Sequence, residues 1–124
     1  MKILFLDDSD QRWYKFQSKV PNAWRAATAE ECIKNIKEWP EIHWLFLDHD
    51  LGGETWVDSS REDCGMEVVR FLCSQPERIN SIHSIVVHSH NVAAAQEMFY
   101  KLEVAGYTVR LVPFINLMNS IELK

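Results

Sequence analysis

Apolar residues along this chain recur in two rhythms. Short unbroken runs such as Ile3-Leu4-Phe5-Leu6 and Leu45-Phe46-Leu47 fit strands buried on both faces of a parallel sheet. Between such runs the spacing is helical. Residues 9–20 place Trp13, Phe16 and Val20 on one side, and Pro21-Asn22 stops them. Residues 24–27 read as a weak strand. Thr28, with Glu31 three positions later, matches a capping box. The helix it opens carries Cys32, Ile33, Ile36 and Trp39 and ends at Pro40. A third strand is expected at 43–47, then a loop to about residue 63 and a helix over Gly65–Cys73. The fourth strand is expected at Ile82–Val87. Residues 91–105 form the clearest helix, with Met98, Leu102 and Ala105 on one stripe and Gly106 placed to end it. A fifth strand is expected at 107–112. Pro113 breaks the chain, and residues 114–124 leave room for one short helix.

Strand and helix therefore alternate with short connections. This predicts a single α/β domain over residues 1–124, of flavodoxin-like three-layer type, around a five-stranded parallel sheet. In such sheets ligands bind beyond the carboxyl ends of the strands. Polar residues gather there: Asp7-Asp8 after the first strand, Asp48-His49-Asp50 after the third, His88-Ser89-His90-Asn91 after the fourth. They converge if these three strands are neighbours, which supports the order 2-1-3-4-5.

Composition narrows the function classes. The chain has 124 residues, 47% of them hydrophobic, enough for one sizeable core. A net charge of −5 argues against non-specific grip on DNA, which needs clustered Lys and Arg. No long apolar run and no signal-peptide pattern is present, so a cytoplasmic protein with no membrane partner is expected. Cys32, Cys64 and Cys73 share no CxxC spacing and read as small hydrophobes.

Several stretches resemble a bacterial response-regulator receiver domain: ILFLDDSD, WLFLDHDL with Asp48 at the phospho-acceptor position, VVHSHN with Ser89, and VPF. Val112 stands where receivers carry a Lys. The loop from Asp48 to Gly65 is longer than in ordinary receivers, and the last helix is shorter. A narrower resemblance covers Asp7, Asp8 and Arg12 (LDD…R), Asp48 to Gly52 (LDHDLG), Asp63 and Gly65 (D-x-G), and His88, Ser89, Asn91 and Met98 (HSxN…M). These are similar to the cyclic-phosphate-processing receiver domains. The resemblance implies action on cyclic phosphate ends in RNA repair or phage and bacterial conflict. Val-Ala-Ala-Ala after Asn91 departs from that family's Pro and Gly.

The residues permit such chemistry. Asp7, Asp8, Asp48 and Asp50 would crowd up to four carboxylates into one cleft. Two carboxylates in contact repel by about 4 kcal/mol at an effective dielectric of 20, so the cluster must bind a cation or take up protons. Oxygen ligation favours Mg²⁺ or Mn²⁺, and nearby imidazoles of His49, His88 and His90 favour Mn²⁺. Asp8 and Asp50 equally suit helix capping. His88 and His90 would share a face if the strand continued, and would do general acid or base work with Asp48. Ser89 and Asn91 would meet a phosphate at the head of the fourth helix, with His49 nearby. Arg12 either forks onto that phosphate or lies on a solvated helix face. Trp56 either stacks on a base or contacts a partner. Trp13, Trp39 and Trp44 are expected in the core, and Gly52-Gly53 in a tight turn.

Two classes of function remain open from sequence. One is a metal-dependent phosphoesterase acting on a nucleotide or RNA end. The other is a degenerate receiver, a signalling or binding module with Asp48 as phospho-acceptor. A nucleotide-binding protein without turnover would use the same cleft.

Overall fold

In the computed structural model, which describes residues 1–120, the apolar runs become strands β1 (Ile3–Leu6), β2 (Trp24–Ala26), β3 (Ile42–Leu47), β4 (Ile82–Val87) and β5 (Val109–Leu111). They form one sheet in the order β2-β1-β3-β4-β5, parallel throughout. Helices α1 (Asp10–Lys19), α2 (Ala29–Glu38), α3 (Gly65–Cys73), α4 (Val92–Ala105) and α5 (Phe114–Ser120) surround it. This is the expected flavodoxin-like fold and strand order. The last expected helix covers 114–120, and residues 121–124 of that expectation lie outside the described residues. A 3-10 turn at Pro76–Arg78 was not foreseen. No helix among the described residues is long and apolar enough to cross a membrane.

The central strands β1, β3 and β4 bury both faces, so the core has two halves. Leu4, Leu6, Leu45, Leu47, Ile85 and Val87 face α2, α3 and α4. Ile3, Phe5, Phe46 and Val86 face α1 and α5, meeting Phe16, Phe114 and Leu117. That alternation is the period of two in an extended chain. Trp13 and Trp44 are half-buried against the second half, Trp39 against the first.

The helix ends follow their caps. Ser9 accepts the Arg12 N–H, Thr28 the Glu31 N–H and Asn91 the Ala94 N–H. Gly106 closes α4 with φ of 104°. Strand β5 is shorter than expected because Tyr107 turns inward and its hydroxyl donates toward the carbonyls of Leu72 and Gln75. Cys32 and Cys64 are buried as small hydrophobes, whereas Cys73 is exposed.

Candidate functional site

The sheet's register builds the site. Leu6 pairs with Leu47 and Leu47 with Val87, so Asp7, Asp48 and His88 stand side by side one residue further on. Backbone bonds continue the ladder, from Asp48 N–H to the Leu6 carbonyl at 3.1 Å and from His88 N–H to the Leu47 carbonyl at 3.0 Å. Alternation then puts all three side chains on the face that carries Phe5, Phe46 and Val86. All three are buried, and each offers one ligand atom within 4.8 Å of the others.

Asp7 is fully engaged. One carboxylate oxygen accepts from Ser9 N–H and Arg12 Nη2, each at 2.9 Å. The other accepts from Arg12 Nε at 2.7 Å and His88 Nε2 at 3.1 Å. Burial alone would raise the Asp7 pKa, but the hydrogen bonds from His88 and Arg12 outweigh it and hold the carboxyl below its usual range. Asp48 moves the other way: burial and the neighbouring Asp7 charge raise it to about 6, against the pull of His88 and Arg12. Its contact with Arg12 Nη2 is longer, 3.4 Å. Asp7 is thus the ionised partner of Arg12, and Asp48 the carboxyl whose charge is poorly compensated.

His88 lies flat on Phe5, ring centroids 4.8 Å apart and planes within 8°. Because Asp7 is ionised, Nε2 carries the proton toward it, and the buried Nδ1 has no hydrogen-bond partner among the described residues. His88 and His90 do not share a face. Alternation carries His88 into the core just past the end of β4, and His90, beyond that point, is exposed at the cleft.

Asp50 is a second hub. It accepts from His49 Nδ1 at 2.7 Å, Asn91 Nδ2 at 3.1 Å, Trp56 N–H at 2.8 Å and Val57 N–H at 3.2 Å. These bonds lower its pKa despite partial burial. Its oxygens therefore anchor the loop that follows β3, while Asp50 also lines the cleft. His49 is buried with both nitrogens engaged, Nδ1 on Asp50 and Nε2 on Ser59 Oγ at 2.9 Å. That position takes it out of reach of a phosphate. Burial opposes a charged His49, but Cys64 and Asp50 prevail and raise its pKa. Ser59, His49 and Asp50 share the connectivity of a nucleophile, base and orienter. Ser59 is not among the residues lining the cleft, so the chain of bonds braces the loop.

The cleft, about 380 Å³, is lined by Asp8, Ser9, Arg12, Asp48, Asp50, Gly53, Glu54, Thr55, Ser89, His90 and Asn91. Its size suits a small ligand. Asp8 accepts the Gly53 N–H, which the left-handed Gly52-Gly53 turn, φ 76° and 75°, presents to it. Ser89 Oγ accepts the Asn91 N–H at 3.1 Å and keeps its own O–H to donate. The floor leaves no room for a side chain at Gly65: a Cβ there would stand 1.8 Å from the Asp48 carbonyl oxygen. Trp56 is 73% exposed, sits at φ 55°, and does not line the cleft.

Asp8 and Asp48 are the residues that would hold a divalent cation at the cleft face. Both present carboxylates there, and Asp48 is the group that gains most from a cation. Asp7 sits behind, held by Arg12. Sequence reasoning missed Glu54 and Thr55 as cleft residues, Ser59 as partner of His49, and the Phe5–His88 stack. The acids and imidazoles at strand ends gave the rest, but nothing in the local pattern of the loop shows which way it folds back.

No curated protein and no solved structure matches this chain. A family model described as the cyclic-phosphate processing receiver domain matches residues 2–104. That span contains every residue that lines the cleft, and the chain belongs to the cyclic-phosphate processing receiver domain family.

Proposed function

We propose that this chain is a metal-dependent phosphoesterase that opens a cyclic phosphate ester at a nucleotide or RNA end. The observation that carries the reading is that Asp8, Asp48, Arg12, Ser89 and the exposed His90 line one cleft together. Arg12 and the Ser89 hydroxyl would bind phosphoryl oxygens, next to the N-terminus of α4. Asp8 and Asp48 would hold Mg²⁺ or Mn²⁺, which when bound supplies positive charge to the phosphoryl oxygens and acidifies a water. His90 is the imidazole placed to move a proton. Water adds to phosphorus, one P–O bond of the ring breaks, and the leaving oxygen takes a proton to become a hydroxyl. His88 is buried and is not among the residues lining the cleft. It fixes Asp7, and through it Arg12.

Two features weigh against an acyl-phosphate switch at Asp48. That carboxyl is nearly buried, and Val112 brings an apolar side chain packed against the second core half where a phospho-switch would want a cation.

The test is incubation of pure protein and Mg²⁺ or Mn²⁺ with 2′,3′-cyclic mononucleotides and RNA bearing such ends, with products read by phosphorus NMR. Turnover is expected. His90→Ala should slow it by about 10²–10⁴ with an unchanged melting temperature. Ligand binding without product would identify a sequestering protein. Labelling of Asp48 by small phosphodonors, without hydrolysis, would identify a degenerate receiver.

A further inference from the structure

The opposite end of the sheet carries a second imidazole–carboxylate cluster. Residues 43 and 83 enter β3 and β4 side by side, bracketed by the pairs Ile42–Ile82 and Trp44–Ser84. Their rings meet edge to face, centroids 4.8 Å apart at 66°. Glu41, just before β3, places one carboxylate oxygen 2.9 Å from His83 Nε2 and the other 3.4 Å from His43 Nε2. The three residues offer ligand atoms all within 4.8 Å of one another. They are open to solvent, with side chains 54%, 30% and 43% exposed for Glu41, His43 and His83.

Nothing in the cleft chemistry uses this cluster, and the carboxylate lacks the cation an exposed glutamate usually finds. Among the described residues Glu41 pairs with no Lys or Arg. Lys2, whose backbone N–H meets His43, has its ammonium turned onto the rings of Trp24 and Trp39 at 5.0 and 4.7 Å. Two imidazoles and one carboxylate are a recurrent donor set for zinc, with a water in the fourth position. The nitrogen share selects borderline transition metals over Mg²⁺.

We propose that Glu41, His43 and His83 form a surface site for Zn²⁺ or a similar transition-metal ion, separate from the cleft. The ion takes the place of the proton shared by His83 and Glu41 and draws in His43 Nε2, 3.4 Å from the same carboxylate. One rearrangement accompanies binding. His43 Nδ1 accepts the Lys2 backbone N–H at 3.0 Å, so its own proton sits on Nε2. Capture at Nε2 sends the ring proton to Nδ1 and frees the Lys2 amide. Bound metal would clamp the entrances of two neighbouring strands at the end of the sheet remote from the cleft.

Chelator-stripped full-length protein is titrated with Zn²⁺ by calorimetry and with Co²⁺ by visible absorption. The Asp48→Asn variant is titrated alongside, so that binding in the cleft is separated from binding here. The site should persist in Asp48→Asn. It should weaken by about tenfold or more in His83→Ala and in Glu41→Gln, two exposed positions whose metal-free melting curves should not move. The Lys2 amide resonance should shift on Zn²⁺ addition. Unchanged zinc affinity and stoichiometry in both variants, or zinc binding that disappears in Asp48→Asn alone, would overturn the proposal.

Discussion

The two ends of the sheet hold similar chemistry under opposite solvation. At the carboxyl ends, Asp7, Asp48 and His88 are buried, and every oxygen of Asp7 is matched to a donor. At the amino ends, Glu41, His43 and His83 are wet and loosely joined. Water makes the difference. A buried carboxylate must be paired by the protein itself, which fixes Arg12 and His88 around Asp7. An exposed one can exchange partners, which leaves it free to take up an ion.

The comparison breaks first at Gly65. A side chain there collides with backbone, not with a flexible tip. Gly65→Val should cost more than about 4 kcal/mol, and urea unfolding followed by circular dichroism measures it. Next comes Asp7→Ala, which strands His88 in the core and leaves the half-buried Arg12 without its main partner. A loss of about 3–5 kcal/mol is expected in the same assay. A loss below about 1 kcal/mol would show that water reaches this end as freely as the other.

Asp48→Asn sharpens the comparison through pH. The folded pKa of Asp48, about 6, lies above its ordinary value of 3.8. Stability from this group is therefore complete below about 3.8 and is lost as pH rises through about 6. The amide removes that loss. Asp48→Asn should be more stable than the parent at pH 7 to 8, on the order of 2–3 kcal/mol, and no more stable near pH 4. Paired urea melts at the two pH values decide it. The smallest effect belongs to Glu41→Gln without metal, within about 1 kcal/mol, as for other solvent-exposed ion pairs.

The strands, their order and the gathering of Asp7, Asp8, Asp48, Ser89 and His90 at one end were legible because apolar runs and chain connectivity dictate them. The parting of His88 from His90 was not. It depends on the ladder and its alternation stopping just after His88, and both histidines read alike in a string. The hydrogen-bond partners of Asp50 and His49 were not legible for a related reason. Ser59, Trp56 and Val57 lie in a loop whose path is set by hydrogen bonds between distant positions, with no periodicity to announce them.

The Asp50 hub also sets a clock. Its carboxylate takes the amides of Trp56 and Val57, which sit in the loop after β3, and Trp56 is held there in a left-handed conformation that its side chain disfavours. Those two amides can exchange their hydrogens with solvent only when the hub lets go. Opening also relaxes the backbone at Trp56, so the loop leaves more readily than its hydrogen bonds alone would allow. The rate at which the cleft's outer wall, Glu54 and Thr55, is lost and restored is then written in the deuterium uptake of residues 56 and 57. A ligand seated in the cleft would slow that uptake without touching either residue.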